Sequence, residues 1–177
     1  MANTILTNEE LNLLCSYLLE QSHHYSINLY PFIHCQYNTG LRVNEVFELE
    51  RWVYLDSENL QVALEKTTAT RIIQANNIPL EYLELLGEHP QDTPTVRVRQ
   101  YQYFIKKFLG VKDIRVGDKS ISSHLFRYNF IRQLSALGWS IQQIRQEITH
   151  SSASMTASYL TAPIVVSGSL SPSLWQT

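Results

Sequence analysis

One β-rich stretch, set in a chain whose patterning is otherwise helical, limits what this sequence can fold into. Residues 52–64 (WVYLDSENLQVAL) read as strand, turn and strand. RIIQANNIPL adds a third β-rich run after the polar turn around Lys66 to Thr70. The expected architecture is mainly α with one small antiparallel β-sheet near the middle.

Helical signals surround that sheet. Thr7 is a good N-cap, with Glu10 in the capping-box position, and Leu11, Leu13, Leu14, Tyr17 and Leu18 follow at helical spacing. A second helix is expected from about Ser26 to Tyr37. Thr39-Gly40 interrupts, and Leu41 to Leu49 reads as helical again, offering Leu41, Val46 and Leu49 to the core. Pro79 leads a helix that Gly87 ends, and residues 95–109 suit an amphipathic helix carrying Arg97, Arg99, Lys106 and Lys107. Ser122 or Ser123 is placed to cap the helix containing His124 and Arg127, which Gly138 closes. Ser140 caps the next, with Ile141, Ile144 and Ile148 directed inward, and Ser151-Ser152 precede a last helix bearing Tyr159. The Ser- and Pro-containing tail from Ala162 reads as extended or mobile.

With 177 residues, 44% of them hydrophobic, the chain can bury one sizeable core. Two cysteines, Cys15 and Cys35, make no disulfide framework and have no metal-ligand spacing, so a reduced cytoplasmic compartment is expected. No basic segment followed by an apolar run marks a signal peptide, and no apolar stretch approaches the roughly 20 residues of a membrane span. A Gly-rich phosphate loop, zinc-finger spacing and a serine-hydrolase elbow are all missing, which sets aside the commonest enzyme classes.

A net charge of −2 conceals an asymmetry. Residues 1–96 carry four of the 14 basic side chains and thirteen of the 16 acidic ones; residues 97–177 carry the other ten basic and three acidic. Such a distribution can present a basic face to a polyanion. It can equally solvate two ends of a domain.

Three patches collect phosphate-binding and proton-transfer residues at turns and helix starts: Thr39-Gly40-Leu41-Arg42-Val43-Asn44-Glu45, His124-Leu125-Phe126-Arg127, and Thr149-His150-Ser151-Ser152 with Tyr159 nine residues after His150. Singly, each has a plain explanation. Arg42 and Glu45 can form a surface ion pair worth a few tenths of a kcal/mol, His124 can be a structural histidine, Tyr159 a packing aromatic and Lys66 a solvated turn lysine.

Together the patches resemble the tyrosine recombinase (phage integrase) family. YNTGLRVNEVFELE is similar to the family's T-G-L-R-x-x-E box, and SHLFRYNFIRQLSALGWSIQQIRQEITHSSASMTASYL to its H-x-L-R, G-H-x-x and T-x-x-Y boxes. LEKTTATRIIQANNIPL is similar to its β-hairpin and lysine. The 23 residues from Arg127 to His150 and the nine to Tyr159 suit the pattern. The resemblance covers roughly Leu6 to Leu160 and implies a single catalytic domain over residues 1–160, with residues 161–177 as a C-terminal tail.

That resemblance implies site-specific recombination of double-stranded DNA by cleavage and rejoining through a covalent 3′-phosphotyrosine. Arg42 and Arg127 would clamp the non-bridging phosphate oxygens, as forked donors that stay protonated. Tyr159 would be the nucleophile and His124 its base, because a phenol with a pKa near 10 must give up its proton to attack. Lys66 would protonate the leaving 5′-oxygen, and His150 would donate to a phosphate oxygen. No metal or other cofactor is implied. Four protomers on two duplexes are expected, with the tail passed to a neighbour through Ile164, Val165, Val166 and Leu170. Alternatively the tail folds back and holds Tyr159 out of the pocket.

The chain departs from the family at three points. Thr149 stands where glycine usually precedes the second histidine, which puts the placement of His150 in question. Tyr128-Asn129 replaces the usual His-Thr/Ser, an exchange expected to repack rather than to inactivate. The first helix begins within ten residues of Met1, where the family usually has an N-terminal domain closing a clamp on DNA. The expectation is a catalytic domain alone, or one cut from a longer chain, with weaker DNA affinity for the phosphates it leaves uncontacted. The rival readings are a catalytically inactive DNA-binding protein of the same fold and an unrelated helical module. A type IB topoisomerase is a variant of the main reading.

Overall fold

The computed structural model describes residues 3–65, 67–88, 94–109, 113–150 and 152–168. In chain order the elements are β1 (Asn3–Ile5), α1 (Asn8–Tyr25), α2 (Tyr30–Thr39), α3 (Val43–Phe47), β2 (Trp52–Tyr54), β3 (Asn59–Ala63) and β4 (Thr70–Gln74). They continue with α4 (Leu80–Leu86), α5 (Pro94–Leu109), β5 (Asp113–Val116), β6 (Lys119–Ser120), α6 (Leu125–Ala136), α7 (Ile141–Ile148), α8 (Ala153–Thr161) and β7 (Ile164–Ser167). The fold is mainly helical with small antiparallel sheets. No helix among the described residues is long and apolar enough to cross a membrane.

The expected sheet forms as β2-β3-β4, with Trp52 opposite Val62 and Leu60 opposite Ile73. Strand alternation turns Leu60, Val62 and Ile73 into the core and leaves Val53 and Ile72 outside. Thr7 and Ser140 both cap as expected, each within a capping box closed by Glu10 and Gln143 respectively. One large core gathers α1, α2, α5 and the first sheet; Ile131, Leu134, Ile144 and Ile148 form a smaller one, against which Phe130, Tyr159 and Leu160 pack.

Several sequence expectations need correction. A second, four-stranded sheet of order β1-β7-β5-β6 was not expected. One of its two inner strands, β7, belongs to the segment read as an extended or mobile tail. Val166 pairs with Thr4 on one side and Ile114 on the other, and Ile164 and Val166 are fully buried. Within the single chain, alternation along β7 aims Ile164 and Val166 into the core; Leu170 lies outside the described residues. The helix carrying Arg127 is not capped by Ser122 or Ser123. Those two residues and His124 form a 3-10 turn, and α6 starts at Leu125. Ile141 is exposed, since it opens α7 one turn before the buried stripe of Ile144 and Ile148, and Leu13 is likewise exposed. Nor are all the basic residues of the second half on the surface: Arg97, Arg127 and Arg132 are buried. Arg97 lies 5.2 Å from the centre of the Phe32 ring.

Candidate active site

Arg42 stands at the turn into α3, after a backbone reversal at Gly40. Gly40 is left-handed (φ +70), and a Cβ there would lie 2.4 Å from Phe130 Cδ1, so only glycine fits between α2 and α6. Glu45 is fully buried and accepts three hydrogen bonds: from the Arg42 amide (2.7 Å), the Arg42 guanidinium (3.2 Å) and the Glu65 amide (2.9 Å). The same carboxylate therefore orients Arg42 and ties down the residue before Lys66. Lys66 itself lies outside the described residues.

Arg127 projects from the first turn of α6 and is 1% exposed. Its Nη1 donates to the Gly40 carbonyl at 2.8 Å, while Nε and Nη2 are buried without a hydrogen-bond partner. Burial, followed by the neighbouring Arg42 charge, pulls its pKa down; the Tyr159 hydroxyl and Glu45 offset part of that. Its guanidinium carbon lies 5.8 Å from the centre of the Tyr159 ring.

Thr149 closes α7 in the left-handed conformation (φ 59, ψ 45), the conformation for which glycine is the usual residue. Threonine here takes up glycine's backbone geometry, and His150 turns inward. Its Nδ1 lies 3.0 Å from Thr156 Oγ1, and its Nε2 is buried without a partner. Burial, then the charges of Arg127 and Arg42, push its pKa down to about 4. The neutral ring sits 5.0 Å from that of Tyr159.

Tyr159 is half-buried near the end of α8. Its hydroxyl is 3.4 Å from His124 Nδ1, and its ring stacks on Tyr128 at 4.2 Å. Among the described residues, the segment after α8 runs on as β7, and Tyr159 lies beside His124 and Arg127. The structure thus gathers Arg42, His124, Arg127, His150 and Tyr159 of one chain. Tyr128, Thr156 and Arg132 also shape the site and were not assigned from sequence. Thr156 sits three residues before the tyrosine, on the same helix face, and that spacing is the signal that could have marked it.

The chemistry of the cluster suits an anion. Three buried nitrogens, two guanidinium donors of Arg127 and Nε2 of His150, have no hydrogen-bond partner beside the Arg42 guanidinium. Unmet buried donors are costly, and a tetrahedral oxyanion would satisfy them together. No group of three or more His, Cys, Asp or Glu among the described residues is placed to hold a metal ion.

The fold, with these side chains gathered at one place in it, is of the tyrosine recombinase catalytic class. The sequence profile of the phage integrase family matches residues 4–163, and the chain belongs to that family. It is similar to tyrosine recombinase XerC of Rickettsia bellii strain OSU 85-389, 26% identical over 166 residues that cover 87% of this chain and 54% of that protein. The XerC of strain RML369-C matches to the same extent. The chain spans about half the length of these curated relatives. Among solved structures, XerA recombinase matches with a TM-score of 0.57 at 19% identity, over 98% of this chain and 62% of that one. XerH bound to its difH substrate in a pre-cleavage complex gives 0.57 at 18% identity, over 87% and 49%.

Proposed function

We propose that this chain is the catalytic domain of a site-specific recombinase that cleaves and rejoins double-stranded DNA through a covalent 3′-phosphotyrosine at Tyr159. The observation that carries this reading is the set of unpaired buried donors on Arg127 and His150 next to the Tyr159–His124 pair.

In this mechanism a scissile phosphate enters with its non-bridging oxygens against Arg127 Nε and Nη2, Arg42 and His150 Nε2. Because the Arg127 and His150 donors are already fixed and dry, charge developing on those oxygens meets preorganised partners. A Thr156 hydroxyl donating to His150 Nδ1 leaves the ring proton on Nε2, where the neutral imidazole can donate to phosphate. Tyr159 Oη attacks phosphorus as its proton passes to His124, forming the phosphotyrosine bond and breaking the bond to the 5′-oxygen. Lys66 protonates that oxygen. The 3.4 Å separation of Tyr159 and His124 is the looser spacing common before substrate binds. Rejoining reverses the steps, since the phosphotyrosine conserves the energy of the broken bond. Exchange between two duplexes calls for four protomers, and XerH is a relative solved with its DNA substrate.

The test is a suicide substrate: a nicked duplex from a pool of sequences flanking the gene, incubated in EDTA and then denatured. A covalent adduct lost in Tyr159→Phe and strongly reduced in Arg127→Ala is the expected result. Salt-dependent DNA binding with no adduct on any duplex, or an adduct that survives Tyr159→Phe, overturns the reading and leaves a DNA-binding protein of the same fold.

A further inference from the structure

Arg132 is buried on α6, five residues beyond Arg127, and every nitrogen of its guanidinium is engaged. Nε donates to the backbone carbonyl of Tyr159 at 2.9 Å, Nη2 to that of Ala162, and Nη1 to Asn8 Oδ1 at 3.3 Å. Two of these three acceptors lie at the C-terminal end of α8, where the last carbonyls of a helix have no partner within it and the helix dipole favours a cation. The third belongs to the first residue of α1.

We propose that Arg132 is the positioning residue for Tyr159, holding the C-terminal end of α8 so that the hydroxyl stays between His124 and the phosphate donors. This rests on Tyr159 being the nucleophile. The helix needs such an anchor. It has nine residues, too few to be stable alone, and only Thr156 among them is fully buried. Arg132 grips the backbone of the nucleophile itself, so a small pivot of the helix end moves the hydroxyl at the far tip of the side chain. Beyond Tyr159, β7 is held on one side by β1, and the Leu6 amide donates to the Ile164 carbonyl at 2.9 Å. Asn8, Arg132 and the β1–β7 pair therefore join the start of the domain to the end of the nucleophile helix at two places. Lysine can replace the arginine only in part, because one ammonium does not reproduce the planar fork that reaches three acceptors in three directions.

The experiment compares wild type with Arg132→Met, Arg132→Lys and Asn8→Ala, measuring the adduct-forming rate on saturating nicked duplex alongside duplex affinity. Arg132→Met should slow cleavage about 100-fold, with affinity held within about twofold because it is set by phosphate contacts elsewhere. Arg132→Lys should recover part of the loss, and Asn8→Ala, which removes one contact of three, should lose least. A loss of affinity parallel to the loss of rate, or wild-type cleavage by Arg132→Met, overturns the proposal. Fluorine NMR of 3-fluorotyrosine-labelled protein without DNA gives a readout independent of activity, with the Tyr159 signal assigned by its absence in Tyr159→Phe. That signal should shift and broaden in the Arg132 variants, with only Tyr128, whose ring stacks on it, following among the other tyrosines; an unmoved Tyr159 signal overturns the proposal even where no duplex is cleaved. Failure of wild type to form an adduct counts against the recombinase reading alone. Arg132→Lys keeps charge and stem, and remains informative where Arg132→Met does not fold.

Discussion

Glu45 holds Arg42 at both ends: one carboxylate oxygen accepts from the Arg42 backbone amide at 2.7 Å and the other from its guanidinium at 3.2 Å. The second oxygen also accepts from the Glu65 amide at 2.9 Å. Glutamine offers one acceptor oxygen where three donors converge. Glu45→Gln should therefore cost about 1–3 kcal/mol of stability. Glu45→Ala, which leaves Arg42 without its buried partner, should cost about 3–5 kcal/mol. Urea unfolding at neutral pH measures both; a Glu45→Gln variant as stable as wild type would mean that the carboxylate contributes only its bulk.

Gly40 should be irreplaceable for two separable reasons. An alanine Cβ meets the Phe130 ring at 2.4 Å, and the backbone is left-handed. The conformation costs roughly 1–2 kcal/mol for an L-residue, and the forced repacking roughly 1–3 kcal/mol more. Shrinking the ring relieves only the second. The double variant Gly40→Ala/Phe130→Ala should thus be more stable than the sum of its singles by about 1 kcal/mol or more. Strict additivity in chemical denaturation would show that the ring moves aside freely.

The parts of this structure legible in the sequence are those encoded locally. Capping boxes at Thr7 and Ser140 mark helix starts because both partners lie within one turn, and the β2-β3-β4 meander is readable because its strands are neighbours in sequence. The sheet built from β1, β7, β5 and β6 was missed for the opposite reason. Asn3 pairs with Ser167, and neither strand, short as it is, carries a signal of its partner. At the site, the three boxes supplied side-chain types in order, and the fold brings Arg42, His124, Arg127, His150 and Tyr159 together. Burial was not legible. Nothing in the spacing of Arg127 and Arg132 distinguishes the arginine with two free donors from the one whose donors are all engaged by backbone and Asn8.

Thr149 is a position where the sequence works against its own backbone. It is the one non-glycine residue with positive φ among the described residues, and its β-branched side chain is ill suited to that region. Thr149→Gly should stabilise the fold by about 0.5–1 kcal/mol, the strain relieved being partly offset by the greater freedom of glycine in the unfolded chain. The geometry that presents His150 should be kept, so adduct formation should not fall. A thermal melt with a lower midpoint in the glycine variant would show that threonine side-chain contacts outweigh the strain.

His150 ties stability to pH. In the unfolded chain it takes up a proton as the pH falls through its ordinary value of 6.5, whereas in the folded chain burial and two arginines delay this until about 4. Between those values the unfolded state binds the extra proton, so the folded state loses stability as the pH drops through this window and regains it as the pH rises. At pH 5 the linkage amounts to about 2 kcal/mol relative to neutrality. His150→Gln cannot titrate, and it leaves the other histidines, including the half-buried His34 whose pKa burial also lowers, present in both proteins. The difference between wild type and variant in urea unfolding at pH 7 and pH 5 therefore isolates this one ring. Wild type should lose about 2 kcal/mol more than the variant on acidification. Parallel losses would mean that His150 is already protonated in the folded protein at pH 5, and a charged ring would then meet the phosphate.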